Sequence, residues 1–132
     1  YLNKMDREKL LDLYKKYDLE KTDVYKHQHY VIITRQGIEK IAAKENIAIN
    51  YEVVKCEPNF AVVKAYAKKE EVQIETFGSA LKGANYKDGN CNSWYVMEMA
   101  EKRALSRSVL KLTGFYELGV FGEDESDDFK RK

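Results

Sequence analysis

Residues 93–113 read SWYVMEMAEKRALSRSVLKLT, and the rest of the chain is organised around this stretch. It predicts one helix of about twenty residues, which is longer than an average helix. Arg103, Arg107 and Lys111 follow at intervals of four, so they form a single basic stripe on that helix. An apolar set is expected to face a core on the opposite side: Trp94, Leu105, Val109 and Leu112.

Two interpretations of this helix stay open. In the first, one side packs and the other offers a row of guanidinium groups to a ligand. In the second, the basic stripe is only a solvated helix face. Charged surfaces of helices are often solvated in this way. Glu98 and Glu101 border the apolar side near the helix start, where carboxylates suit the helix dipole.

Composition predicts one globular domain over residues 1–121, followed by a disordered tail over 122–132. The chain has 132 residues, of which 44% are hydrophobic and 34% charged, enough for a core. Lys and Arg number 23 against 22 Asp and Glu, so a site for a polyanion must be local. The tail combines the acidic run EDESDD with a basic end, a composition typical of disorder.

Cysteine usage and hydropathy favour a cytoplasmic protein. Cys56 and Cys91 are far apart and lack the spacing of a zinc site, so free thiols are expected. No apolar run approaches the roughly 18 residues of a membrane span, and no signal peptide is evident. The chain opens at Tyr1 without an initiator Met, which is typical of a trimmed sequence.

The first part of the chain predicts two helices around one short strand. Residues 6–17 have helical apolar spacing, with Asp6 as the N-cap. Residues 27–33 are β-prone. Thr34 can cap the next helix, and Asn46 can close it.

Three consecutive strands are predicted next, over residues 47–57, 60–68 and about 71–80. Short turns at Pro58-Asn59 and Lys69-Glu70 imply antiparallel pairing, because neighbouring strands joined by tight turns form a meander. A Gly- and Asn-rich loop at 83–92 leads into the long helix. The predicted fold class is therefore α+β: a three-stranded antiparallel meander packed against a long C-terminal helix (a β-β-β-α core), with N-terminal helices.

Known catalytic and cofactor motifs are missing, so an enzyme is the less favoured class and no cofactor is expected. The segment GSALKG at 78–83 has the glycine spacing of a nucleotide-binding loop, but Ala84 and Asn85 follow where Lys and Ser or Thr belong. His27 and His29 lack a third metal ligand nearby. A metal-dependent nuclease stays as a minor alternative, with four candidate residues: Glu52, Glu71, Glu75 and Lys64.

Three segments carry a resemblance to a known family. They are YVIITRQGIEKIAAKENI at 30–47, IETFGSALKG at 74–83 and AEKRALSRSVLKLTGF at 100–115. Together with the order of elements, they resemble the annealing domain of single-strand annealing proteins of the Rad-fifty-two type, including their phage recombinase relatives. The residues that match the family's helix motif are Lys102, Arg103, Ala104, Leu105, Arg107 and Gly114.

The resemblance implies ATP-independent annealing of single-stranded DNA in phage-type homologous recombination and repair. It places the strand in a basic groove between the sheet and the long helix, with the bases turned outward. The residues expected to contact DNA are Lys102, Arg103, Arg107 and Lys111, helped by Lys55, Lys64 and Lys82. The residues that can stack on bases are Tyr66, Tyr86, Trp94 and Tyr95, although a core position is favoured for Trp94.

The expected partners are single-stranded DNA and further copies of the chain, because the family forms rings. The acidic tail is expected either to occupy the groove when DNA is absent or to dock a replication or recombination partner. The alternative function is a non-catalytic interaction or assembly subunit of a mobile element that uses the same fold.

Overall fold

The computed structural model describes residues 3–83, 89–91 and 94–125. In these ranges the chain forms two three-stranded sheets: β1, β2 and β6 form the small sheet, and β3, β4 and β5 the large sheet. The elements in chain order are α1 (Lys4–Lys16), β1 (Val24–His27), β2 (Tyr30–Ile33), α2 (Arg35–Lys44), β3 (Ala48–Glu57), β4 (Phe60–Lys69), β5 (Val72–Leu81), α3 (Val96–Leu112), a first 3₁₀ helix (Tyr116–Leu118), β6 (Val120–Gly122) and a second 3₁₀ helix (Glu123–Glu125).

The large sheet is the predicted meander. β4 pairs antiparallel with both β3 and β5. The first turn lies at Pro58-Asn59 as predicted, and the second lies at Glu70-Glu71, one residue later than predicted. α3 packs against β4 and β5. The α+β class with a meander against the long C-terminal helix is therefore confirmed, and α3 begins three residues later than predicted.

Small side chains on one face of the large sheet allow α3 to approach closely. We call this the inner face. Ala61, Val63, Ala65 and Ala67 alternate along β4 and are buried. In β5, Gly78 lies directly under α3: a Cβ there would collide with the backbone of Ala100 and Ala104. The opposite face is the outer face.

A second core lies on the other side of α3, where α1, α2 and the small sheet pack. Its largest fully buried side chains include Tyr17, Ile33, Ile41 and Phe115. Val109 and Leu110 of α3 belong to the same cluster. α3 is therefore buried on two sides, and the prediction of one packing side and one free side is wrong.

The small sheet was only partly predicted. The segment at 27–33, expected to be one strand, is instead the end of a hairpin in which β1 and β2 pair antiparallel. Its turn contains Gln28 in the left-handed region, with φ 58°. β6 then pairs parallel with β2. Residues 122–125, assigned to the tail, thus lie in β6 and the second 3₁₀ helix, whereas residues 126–132 lie outside the described ranges.

The helix caps explain where the first two helices begin. The Asn3 side chain, rather than that of Asp6, caps α1 by accepting a hydrogen bond from the Asp6 N–H at 2.8 Å. Asp6 lies in the first turn, where its charge suits the helix dipole. Thr34 caps α2 as predicted, since its hydroxyl accepts from the Gly37 N–H at 3.2 Å. In the described ranges no helix is long and apolar enough to cross a membrane.

Candidate nucleic-acid interface

Arg103 is buried, with only 6% of its surface exposed. Its guanidinium donates to three backbone carbonyl oxygens: Nη1 to Ser79 O at 2.7 Å, Nη2 to Asn90 O at 2.8 Å and Nε to Asp124 O at 3.1 Å. The prediction that Arg103 belongs to an exposed row of phosphate-binding groups is therefore wrong. Its donors tie β5, the segment at 89–91 and the second 3₁₀ helix to α3.

Arg107 is bound to the same strand one helical turn later. Its Nη1 donates to Phe77 O at 2.9 Å. Four helical residues rise about 6 Å and two strand residues about 6.7 Å, so the pair on α3 matches alternate carbonyls of β5. Because alternate carbonyls point to the same strand edge, the two arginines occupy the edge of β5 that faces away from β4. The spacing of Arg103 and Arg107 thus matches the spacing of the Ser79 and Phe77 carbonyls.

The predicted groove between the sheet and the long helix is absent where α3 crosses β4 and β5. The contact of Gly78 with the α3 backbone leaves no room for a strand of nucleic acid there. The side chain of Thr76 also bridges the two elements, donating to Ala104 O at 3.1 Å and lying 2.7 Å from the Ser108 hydroxyl. The alanines and glycine of the sheet permit this direct packing, which excludes the predicted groove along the crossing of α3 over β4 and β5.

The other basic residues of α3 are more accessible. Arg107 is about one third exposed at its side chain and pairs with Glu125 at 3.1 Å. Lys111 is exposed, with Nζ 5.2 Å from the centre of the Tyr116 ring. Lys102 is half-buried and has no ion pair or hydrogen bond among the described residues. An anion can therefore reach Lys102 and Lys111 directly, but reaches Arg107 only in competition with Glu125.

Lys55 and Lys64 lie on the outer face of the large sheet, away from α3. Lys64 is 2.7 Å from Glu75 and stacks over Tyr66 and Phe77, with Nζ 5.0 and 5.7 Å from the ring centres. Its hydrogen bond to Glu75 raises the pKa of Lys64. Lys55 is 3.3 Å from Glu57. The structure thus does not bring these lysines together with those of α3.

Tyr66 is held on the same outer face. Its hydroxyl donates to Glu52 Oε1 at 2.6 Å, and this hydrogen bond raises the pKa of Tyr66. Phe77 beside it is 49% exposed. The rings are therefore accessible, but opposite charges alternate around them. Tyr86, another predicted stacking residue, lies outside the described ranges.

An exposed aromatic pair lies at the start of α3. Trp94 is 71% exposed and Tyr95 is 69% exposed. Lys82, the residue directly after β5, has its Nζ 4.9 Å from the centre of the Trp94 ring. We call Lys82, Trp94 and Tyr95 the aromatic patch. The core position favoured for Trp94 is wrong, because α3 begins only at Val96 and the indole falls before the packed helix.

Sequence reasoning could have found the patch from one signal. Two aromatic residues directly follow a loop rich in Gly and Asn, so they flank the helix and need not share its packed sides. Lys102 follows in the second turn of α3, seven residues after Tyr95. The patch therefore lies at the end of α3 that also carries an accessible lysine.

The described residues contain no group of three metal-ligating side chains. The nuclease candidates Glu52 and Glu75 instead bond to Tyr66 and Lys64 on the outer face. Comparison of the chain with protein families, with curated proteins and with solved structures gave no match.

Proposed function

We propose that this protein binds single-stranded DNA and promotes the annealing of complementary strands without ATP, in phage-type recombination and repair in the cytoplasm. The observation that carries the proposal is the aromatic patch. Two large exposed rings at consecutive positions, with a lysine over one of them, form the kind of surface on which unpaired bases stack. A contiguous exposed apolar surface of this kind is typical of a binding site.

Two lysines lie near the patch and can contact the phosphates of a bound strand. Lys82 lies at the patch itself, and Lys102 lies in the second turn of α3, after the exposed Glu98 of the first turn. A strand stacked on the rings could place its phosphates near both ammonium groups. Arg107 and Lys111 lie further along α3 but on other sides of the helix, so a bound strand would have to cross the helix to reach them.

Stacking is compatible with annealing. A base that stacks on an aromatic ring uses its flat face, so its Watson–Crick edge stays free to pair with a second strand. Phosphate neutralisation by lysines reads no sequence. Neither stacking nor phosphate neutralisation needs ATP hydrolysis. The resemblance to the annealing family in the order of elements supports the same function. That family forms rings, so we propose that this chain also self-associates, into a ring or a filament.

The alternative, an interaction or assembly subunit that does not bind DNA, is favoured by a different observation. The strand β3 is exposed over nearly its whole length, which is typical of a surface that pairs with another chain. The two functions differ in one respect: only the first needs the aromatic patch.

The experiment is fluorescence anisotropy of a labelled single strand of roughly 30 nucleotides at several salt concentrations. The variant Lys82→Ala/Trp94→Ala should bind about 5- to 150-fold more weakly, because stacking contributes about 1–3 kcal/mol per base. Its plot of log affinity against log salt should also flatten by about 0.7, the contribution of one phosphate.

The matched control is Lys15→Ala/Leu11→Ala, which removes one lysine and one exposed apolar side chain from α1. This variant should bind like the wild type. Equal loss in both variants would mean that binding depends on general charge, and no binding by the folded wild type at low salt would leave the assembly subunit as the better proposal.

A further inference from the structure

One edge of the large sheet is open. Within the described ranges β3 pairs only with β4, and nine of its ten residues are exposed. Tyr51, Val53 and Val54 are 39%, 57% and 53% exposed, because α3 packs mainly on β4 and β5. An unpaired strand with exposed apolar side chains is a template for pairing with another strand.

The opposite edge of the sheet is closed over the second half of β5. Its alternate residues Phe77, Ser79 and Leu81 direct their backbone groups away from β4. The carbonyl oxygens of Phe77 and Ser79 accept hydrogen bonds from the arginines of α3. The backbone of Leu81 forms hydrogen bonds with the segment at 89–91. A head-to-tail array of sheets needs both edges free along their length. The large sheet can therefore grow only at β3, and the matching edge on a second copy is its own β3.

β3 is complementary to itself when two copies run antiparallel. In one register Glu52 lies opposite Lys55 of the second copy, and Lys55 lies opposite the second copy's Glu52. Glu52 and Lys55 are three positions apart, and in a regular strand their side chains would point to opposite faces. A bulge between Val53 and Lys55 shifts the register against β4, so that Glu52 pairs with Lys64 and Lys55 pairs with Val62. Both side chains therefore lie on the outer face.

The apolar residues match in the same register. Tyr51 lies opposite Cys56 of the second copy, and both belong to the inner face through their partners Ala65 and Ala61. Val53 lies opposite Val54. A shift of two residues would instead place Glu52 opposite the second copy's Glu57, where like charges repel.

We propose that two copies of this chain pair through β3 in this antiparallel register, which joins their large sheets into one six-stranded sheet. Cross-strand pairs of opposite charge and of apolar side chains stabilise such a ladder. The pairing needs no nucleic acid, so it can hold whether or not the chain binds DNA. A pair closed in this way is a two-fold dimer, which can be the unit of a larger assembly through other surfaces.

Charge reversal tests the register by analytical ultracentrifugation without DNA. The wild type should dimerise, and Glu52→Lys alone or Lys55→Glu alone should raise the dissociation constant roughly tenfold or more, because each places two like-charged pairs across the interface. An equal mixture of the two variants should recover the dimer, because the two lysines of one chain then face the two glutamates of the other. In the mixture each variant still lacks the contacts within its own chain that its substitution removes. Recovery of the dimer can therefore come only from contacts between the two chains. A monomeric wild type, or a mixture no better than its components, would overturn the proposal.

Cross-linking gives a second readout, because Cys56 is exposed and free. The variant Tyr51→Cys should form a covalent dimer under mild oxidation, seen on a non-reducing gel. Cysteines five residues apart on one strand cannot reach each other. Two variants are controls. In Ile49→Cys the new cysteine is out of register with Cys56 of the second copy, and in Tyr51→Cys/Cys56→Ser the partner cysteine is missing. Neither control should cross-link as fast as Tyr51→Cys. Equal rates in all three would rule out this register.

Discussion

Gly78 sets the distance between α3 and the large sheet. Any side chain at this position meets the α3 backbone, where the Ala104 nitrogen would be 2.6 Å from the new Cβ. Backbone cannot move aside as the end of a flexible side chain can. Gly78 thus acts through its lack of a side chain.

Gly78→Ala is expected to destabilise the protein by about 1–3 kcal/mol or more, as overpacking of a close contact does. Urea unfolding followed by circular dichroism measures the change. Ser79→Ala is the matched control, because that side chain points to the outer face, and its stability should change by less than about 0.5 kcal/mol. Similar stability of the two variants would contradict the direct packing of α3 on β5.

Arg103 carries three hydrogen bonds to carbonyls from three separate segments. Arg103→Ala should lower the free energy of unfolding by about 3 kcal/mol or more, because hydrogen bonds from a charged donor contribute about 1.5–3 kcal/mol each. Arg103→Lys should not restore it, since one ammonium cannot replace the planar fork of donors. Lys102→Ala, one residue away, is the control and should unfold like the wild type. If Arg103→Ala were fully stable and only DNA binding fell, Arg103 would be a phosphate contact after all.

At the scale of elements, the second 3₁₀ helix lies against the basic side of α3. Glu125 pairs with Arg107 at 3.1 Å, and the Asp124 carboxylate accepts from the Ser106 hydroxyl at 3.2 Å. These acidic residues begin the segment that was expected to occupy a DNA groove. Their position gives that expectation a specific form, in which Glu125 competes with phosphate for Arg107.

Glu125→Gln should therefore raise the affinity for single-stranded DNA, by about two- to fivefold, which corresponds to loss of a partly buried ion pair that contributes up to about 1 kcal/mol. The gain in affinity should be largest at low salt, because salt screens the attraction of Arg107 to Glu125 and to phosphate alike. Glu117→Gln, an exposed glutamate on the first 3₁₀ helix, is the charge-matched control. Equal gains in both variants would assign the effect to net charge alone. Truncation after Glu125 tests the rest of the tail without removing the carbonyl that Arg103 needs.

Local signals predicted the elements whose partners are near in sequence. The meander followed from two short turns, and α2 from Thr34 at its start. β6 could not be predicted, because three residues pair with β2 across about ninety positions of the chain. The role of Arg103 was missed for a related reason: helical spacing shows which residues share a side, but not that a second core covers another side of the same helix.

At the scale of the whole molecule, one buried ion pair links the N-terminal hairpin to α2. Asp23 is fully buried at its side chain and accepts from Lys40 Nζ at 2.7 Å and from the Glu20 N–H at 2.9 Å. Burial alone would raise the pKa of Asp23, but these hydrogen bonds hold it below its ordinary value of 3.8. The folded state thus binds this proton less readily than the unfolded state does.

Because its pKa is lowered, Asp23 makes the folded protein less stable in acid. The contribution of Asp23 to stability is fully present above about pH 4 and is lost as the pH falls through its lowered pKa. Asp23→Asn should cost about 1–3 kcal/mol at pH 7 and should flatten the fall in stability under acid. Thermal unfolding between pH 7 and pH 3 measures both effects. Asp12→Asn on the exposed side of α1 should change neither, and an unaltered acid profile in Asp23→Asn would contradict the role of the pair.

The central claim, that single-stranded DNA binds at the aromatic patch, has a built-in reporter, because the chain contains one tryptophan and it is Trp94. The most direct measurement is its intrinsic fluorescence during titration with unlabelled oligothymidine, with acrylamide quenching measured before and at saturation. Stacking predicts that DNA quenches the emission and that the bound indole becomes protected from acrylamide. If anisotropy shows saturation while Trp94 stays as bright and as open to acrylamide as in the free protein, DNA binds elsewhere on the molecule.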